Sequence, residues 1–174
     1  MLQNEDGSNY PGGTDAEGRS PLSLKPFRQS ESFCGPASLK ILLSHFEDEY
    51  TENELAALVG ATRDEGTDHL GLMRGATALG FHVFAKDHGT IDELRNFVDT
   101  KRVPVIVGWW QTDGDHYSVV YHVSKDFIYL MDPSEECGSI KLKISSFLPI
   151  WYDFSVTNGV EKRYTRWFLA AQRL

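Results

Sequence analysis

The order of two hydrophobic periodicities along the chain limits its fold more than any other feature. Apolar residues at helical spacing, with capping residues at the ends, predict helices at 34–46, 51–59, 68–79 and 90–99. After one short strand at 81–85, the pattern beyond Pro104 becomes mainly that of strands, at 105–110, 116–123, 127–131 and 164–171, with a short helix at 145–151. Helices grouped ahead of hairpin-connected strands predict an α+β fold, with N-terminal helices packed on an antiparallel sheet.

The length of 174 residues suits one domain with a single hydrophobic core. Residues 1–23 lack periodicity and contain Pro11-Gly12-Gly13 and Ser20-Pro21, which is typical of a flexible leader. We therefore expect a leader at 1–23 and a folded domain at 24–174.

Charge and composition exclude several classes of partner. Seventeen basic residues against 25 acidic ones give a net charge of -8, which disfavours nucleic acid and anionic membranes. The sequence contains no apolar run long enough to span a membrane and no secretory signal, so a cytoplasmic location is expected. Cys34 and Cys137 are too few for a disulfide scaffold, and no cofactor is predicted. The oligomeric state is not encoded in any recognisable pattern.

Cys34 is predicted to be the first residue of a helix, with Gly35-Pro36 in the first turn. The unpaired N–H groups and the dipole of a helix N-terminus favour the thiolate, which is the nucleophilic form of cysteine. The alternative is a buried cysteine that acts as a small hydrophobic residue.

His116 is the strongest candidate for a base beside that thiol, because it is predicted at the start of a strand, from which its side chain can project into a cleft. The other candidates are His45, His69, His82, His88 and His122. Of these, His122 has the same strand parity as His116 but is expected roughly 20 Å further along the strand.

Asp132 follows the strand that is predicted to pair with that of His116 in a hairpin. The hairpin brings the end of one strand beside the start of the other, so the carboxylate can orient the imidazole as the third member of a triad. Asp132 can equally be the first residue of an Asp-Pro turn, and the two roles are compatible.

These residues together resemble a known family. The segments 27–39, Gly66-Thr67-Asp68, 116–120 and Asp132-Pro133 are similar to those of the bacteriocin-processing, or double-glycine, cysteine peptidases and their stand-alone relatives, over about residues 24–150. The resemblance implies a papain-like fold, a peptide or protein substrate and cleavage after Gly-Gly.

By the same resemblance, Cys34, His116 and Asp132 form the catalytic triad, and Gln29 contributes to the oxyanion hole. The spacing from Gln29 to Cys34 is one residue shorter than is usual in the family. Either the shortened loop still directs the Gln29 amide at the oxyanion, or Gln29 is a surface residue.

Four other interpretations remain open from sequence. The same triad supports transpeptidation or deamidation, and the region around Cys34 also resembles phytochelatin synthase. The chain could instead be a catalytically silent peptide-binding module, or hold a metal with His116, His122, Asp113 or Asp115. Finally, Gly12-Gly13 could be a self-cleavage site or part of a linker.

Overall fold

The computed structural model of the chain describes residues 14–112, 114–134 and 138–173. Gly12-Gly13, Asp113 and Cys137 therefore lie outside the described residues. The helices described are α1 (Cys34–Ser44), α2 (Glu52–Val59), α3 (His69–Ala78), α4 (Ile91–Arg95) with a π-helical continuation (Asn96–Thr100), and α5 (Ile144–Phe147) with a 3-10 continuation (Leu148–Ile150).

Eight strands are present in the described residues, and they are β1 (His82–Lys86), β2 (Val105–Gln111), β3 (Gly114–Val123), β4 (Phe127–Met131), β5 (Ser139–Lys143), β6 (Tyr152–Thr157), β7 (Val160–Thr165) and β8 (Phe168–Gln172). Six of them form an antiparallel sheet in the order β1-β8-β2-β3-β4-β5, and β6 and β7 form a separate hairpin. This architecture confirms the predicted α+β class.

The sheet is covered on both faces because successive residues of a strand point to opposite sides. Ile106 of β2 packs in one apolar cluster with residues of α1, α2 and α3. Its neighbours Val105 and Val107 belong to a second cluster, which includes residues of α4, its π-helical continuation and α5. The N-terminal helices thus cover one face only, and the later helices cover the other.

The helix ends agree closely with the capping residues of the sequence. Thr51 and Glu54 form a capping box at the start of α2, and Gly60 ends that helix in the left-handed conformation. Asp68 caps α3 by accepting a hydrogen bond from the N–H of Gly71. By contrast, no side chain caps α1, whose N-cap residue is Phe33.

The C-terminal part differs from the prediction. Strands β5, β6 and β7 were not predicted, and the single strand expected at 164–171 is in fact the end of β7 and most of β8. Asn158 and Gly159 join β6 and β7 with positive φ angles of 52° and 74°, as a tight hairpin turn requires. This Asn-Gly pair was the sequence signal for the hairpin.

Part of the expected leader contacts the domain. Leu22 is buried in the core, and its N–H donates to the carbonyl of Tyr121. The guanidinium of Arg102 donates to the carbonyls of Ser20 and Pro21. Packing against the domain therefore begins before Leu24, because the segment contributes one apolar side chain and several backbone acceptors.

None of the helices in the described ranges is long and apolar enough to cross a membrane.

Candidate active site

Cys34 is a free, half-buried cysteine at the first position of α1, as predicted. No side-chain oxygen caps this helix end, because the N-cap residue is Phe33, and Pro36 has no N–H. The positive end of the helix dipole is therefore free to act on a charged group at Cys34. An anion at this position, whether thiolate or oxyanion, is therefore favoured.

The Gly66-Thr67-Asp68 segment packs directly against the start of α1. A Cβ atom at Gly35 would lie 2.6 Å from Oγ1 of Thr67, so only glycine fits beside Cys34. The hydroxyl of Tyr117 donates to the carbonyl of Thr67 at 3.1 Å, and burial raises the pKa of Tyr117 so that it stays neutral. The segment thus fixes the position of the Cys34 backbone.

His116 is the third residue of β3, because the strand begins at Gly114, two residues before the start predicted at His116. Its Nε2 lies 2.9 and 3.1 Å from the two carboxylate oxygens of Asp132, and its ring also interacts with the thiol group of Cys34. Burial disfavours the charged ring, but the interactions with Asp132 and Cys34 outweigh it and raise the pKa of His116 to about 9. The imidazolium is therefore the stable form at neutral pH.

Asp132 follows β4 directly and is fully buried. Besides His116, its carboxylate accepts hydrogen bonds from the Ser118 hydroxyl at 2.5 Å and from the N–H and hydroxyl of Ser134 at 2.7 and 2.5 Å. Burial alone would raise the pKa of Asp132, but the bonds from His116, Ser118 and Ser134 lower it below its usual value. The structure thus brings Cys34, His116 and Asp132 together as one interacting group.

Gln29 is half-buried and lies next to this group. Its backbone N–H donates to the carbonyl of Pro133 at 2.8 Å, which ties it to the turn after Asp132. The side-chain Nε2 makes a long bond of 3.4 Å to the Ser30 carbonyl, and Oε1 is buried without a hydrogen-bond partner among the described residues.

The loop between Gln29 and Cys34 is stabilised by hydrogen bonds to a residue of α2 and by a turn within the loop. The carboxylate of Glu52 accepts from the N–H and the hydroxyl of Ser30 at 2.7 and 2.5 Å. The N–H of Phe33 donates to the Ser30 carbonyl, and Ser32 has a φ of 64° in the left-handed region. A tight turn therefore accommodates the spacing that is one residue short.

Two of the other five histidines also pair with buried carboxylates. His69 Nε2 lies 2.6 Å from Asp153, and its ring stacks on Trp167 with centroids 3.8 Å apart. His122 lies further along β3 with its Nδ1 2.8 Å from Asp99. His116 and His122 thus contact different carboxylates, and the described residues contain no group of three metal-binding side chains.

Sequence reasoning did not identify Ser118 and Ser134 as partners of Asp132. Strand parity was the available signal for Ser118, since residues two apart point to the same face. The β3–β4 register pairs Val119 with Met131, which brings Ser118 beside the residue after Met131. Ser134 lies in the turn after Asp132 and had no comparable strand signal.

Comparison with known proteins agrees with this geometry. The model of the Peptidase C39 family matches residues 25–160. The lactococcin-G-processing and transport ATP-binding protein of Lactococcus lactis is 30% identical over 125 residues, which are 72% of this chain and 17% of that protein. The chain thus spans less than a fifth of the length of this relative.

Two solved structures share the fold. The double-glycine-motif protease of an AMS/PCAT transporter, crystallised with a leader peptide, has a TM-score of 0.68 at 18% identity and covers 88% of this chain and 94% of its own. The peptidase domain of Streptococcus ComA, a bifunctional ABC transporter, has a TM-score of 0.68 at 20% identity and covers 88% and 99%. The papain-like fold and the resemblance to double-glycine peptidases are therefore confirmed, and the chain belongs to the Peptidase C39 family.

Proposed function

We propose that the protein is a cysteine peptidase that hydrolyses a peptide bond through an acyl-enzyme formed on Cys34. The observation that carries the proposal is the interaction of the His116 ring with both Cys34 and Asp132. Nε2 of the ring lies beside Asp132, and we infer that Nδ1 faces the sulfur. This is the arrangement of nucleophile, base and orienting group that acyl transfer needs.

In the first half of the reaction, the Cys34 thiolate forms a bond to the carbonyl carbon, and the carbonyl electrons move to its oxygen. The N-terminus of α1 favours that negative charge, and the side-chain amide of Gln29 supplies a second donor. The intermediate then collapses, the C–N bond breaks, and the leaving amine takes the proton from His116. The product of this half is a thioester on Cys34.

In the second half, neutral His116 takes a proton from water as the water oxygen attacks the thioester. Breaking the C–S bond returns the thiolate, and the imidazolium forms again beside Asp132. The buried Asp132 carboxylate acts by stabilising the imidazolium and by fixing its orientation, without accepting the proton.

The substrate we propose is a peptide cleaved after a Gly-Gly pair. Support comes from the relative whose name describes lactococcin-G processing and from the fold neighbour solved with a leader peptide. The net charge of -8 favours a neutral or basic peptide over an acidic one.

A peptide with one internal Gly-Gly pair tests the proposal, together with peptides that carry Ala at either glycine. Wild-type protein should release a product ending in Gly-Gly, identified by mass spectrometry, and Cys34→Ala should release none. Cys137→Ser is the matched control, because it replaces the other cysteine of the chain and should retain cleavage.

Two results would overturn the proposal in different directions. Transfer of the acyl group to glutathione in preference to water would identify a transpeptidase. Binding of the peptide without cleavage, with Cys34 no more reactive toward iodoacetamide than an ordinary thiol at neutral pH, would identify a catalytically silent binding module.

A further inference from the structure

A chain of hydrogen bonds behind the proposed triad leads from a buried tryptophan to Asp132. The indole Nε1 of Trp109 donates to the Ser118 hydroxyl at 2.9 Å, and that hydroxyl donates to Oδ2 of Asp132 at 2.5 Å. Both Trp109 and Ser118 are buried, so water does not compete for these bonds.

The direction of this chain is fixed by chemistry. An indole N–H can only donate, so the Ser118 oxygen must accept from Trp109. The hydroxyl has a single hydrogen, which is then available only for Asp132. Trp109 therefore determines where the Ser118 proton points.

The sheet register explains why these side chains meet. Trp109 of β2 lies directly opposite His116 of β3, and Ser118 is two residues further along β3 on the same face. Asp132 follows Met131, which pairs with Val119. The three side chains and His116 thus lie on one face of three adjacent strands.

We infer that Ser118 is a positioning residue of the proposed triad, which holds the Asp132 carboxylate ionised and aligned with His116 while Trp109 orients the Ser118 hydroxyl. The inference rests on the proposed function of the site. Ser134 also donates to Asp132, but its side chain is exposed, so water can replace its hydroxyl. Ser118 is the donor that water cannot replace.

Removal of the Ser118 hydroxyl should make the Asp132 carboxylate easier to protonate. A hydrogen bond from Ser118 is among the interactions that lower the pKa of Asp132. When Asp132 gains a proton, His116 loses the charge that stabilises its imidazolium, and the Cys34 thiolate is lost with it. The fall in Cys34 reactivity toward low pH, called the acid limb below, therefore shows whether Ser118 stabilises the Asp132 carboxylate.

The experiment measures the rate of Cys34 alkylation by iodoacetamide against pH in a Cys137→Ser background. We expect Ser118→Ala to move the acid limb about one pH unit upward and to slow alkylation about tenfold on that limb. Ser155→Ala is the matched control, because Ser155 is also buried and hydrogen-bonded, to the N–H of His69, without contact to Asp132. Its acid limb should coincide with that of the background protein.

An unchanged acid limb in folded Ser118→Ala, or an equal shift in Ser155→Ala, would overturn the inference. If Ser118→Ala fails to fold, Trp109→Phe decides, because it keeps an aromatic ring in the core and removes the donor to Ser118, and it should give a smaller shift in the same direction. The carboxyl carbon of Asp132, titrated by NMR in Ser118→Ala and its parent, tests the inference without using Cys34. Slow Cys34 alkylation in the parent with an altered Asp132 titration in the variant would reject the proposed function alone.

Discussion

Strand β3 carries two buried histidines, each hydrogen-bonded to an aspartate, and the two differ in what else surrounds them. His116 lies 2.9 Å from Asp132 and interacts with the half-buried thiol of Cys34. His122 lies 2.8 Å from Asp99 and 3.2 Å from Asp15, with its side chain fully buried. A histidine–carboxylate pair is therefore not in itself a catalytic pair, since acyl transfer also needs a nucleophile beside the histidine, as Cys34 is beside His116.

The cluster around His122 joins the N-terminal segment to the domain. Asp15 accepts hydrogen bonds from the backbone and side chain of Arg19, and Arg19 in turn lies 4.0 Å from Asp99. His122 thus lies among two carboxylates and a guanidinium, and we assign this cluster a structural role. The comparison predicts that the two histidines have opposite effects on reactivity and on stability.

The largest effect is expected on catalysis. His116→Ala should lower peptide cleavage by about 1,000-fold or more, because the thiolate loses its counter-charge and the leaving amine its proton donor. His122→Ala should change the rate of the folded protein less than about twofold, since roughly 20 Å of strand separates it from His116. Steady-state cleavage at neutral pH measures both, and similar losses in the two variants would remove the distinction.

For stability, we expect the larger effect from His122→Ala and the smaller one from His116→Ala. His122→Ala should lower the free energy of unfolding by about 3 kcal/mol, because it leaves the buried Asp99 carboxylate without its hydrogen-bonded histidine. His116→Ala should cost about 1 kcal/mol, because Asp132 keeps its donors Ser118 and Ser134. Urea unfolding gives both values, and a larger loss for His116→Ala would contradict the structural assignment of His122.

The pH dependence should sharpen the contrast at His116. Its pKa of about 9 is above the ordinary value of 6.5, so its stabilising contribution is complete below about pH 6.5 and is lost as the pH rises through about 9. The pKa of Asp132 is lowered, so the contribution of Asp132 is lost only as the pH falls through that lowered pKa, below the usual 3.8. In His116→Ala, the free energy of unfolding should no longer decrease as the pH rises through about 9. An unchanged decrease in this variant would show that a group other than His116 causes it.

The smallest effect concerns the N-terminal segment. Asp15→Ala should cost about 1 kcal/mol and increase hydrogen exchange at the N–H of Leu22, because it removes the bonds that hold Arg19. Asp15 lies beside His122, which is separated from His116 by roughly 20 Å of strand. Intact masses of wild type and Cys34→Ala should therefore both retain residues 1–13, and loss of this segment from wild type alone would show self-cleavage.

The sequence predicted the first three helices well because their ends depend on local chemistry, such as the Thr51–Glu54 capping box and Gly60. The proximity of Cys34, His116 and Asp132 was predictable because helix starts and hairpins impose simple geometry. The contacts of Asp132 with Ser118 and Ser134 were not, since they depend on the register and on the turn after β4. The edge strand β5 has only five residues and too few alternations to be recognised.

The ionisation of Cys34 tests the proposed mechanism most directly. The ultraviolet absorbance of the thiolate, followed against pH in Cys137→Ser and in Cys137→Ser with His116→Ala, separates a paired thiolate from an ordinary thiol. We predict a clear thiolate absorbance at neutral pH in the first protein and a much weaker one in the second. Equal thiolate absorbance in the two proteins would contradict a thiolate–imidazolium pair at Cys34 and His116.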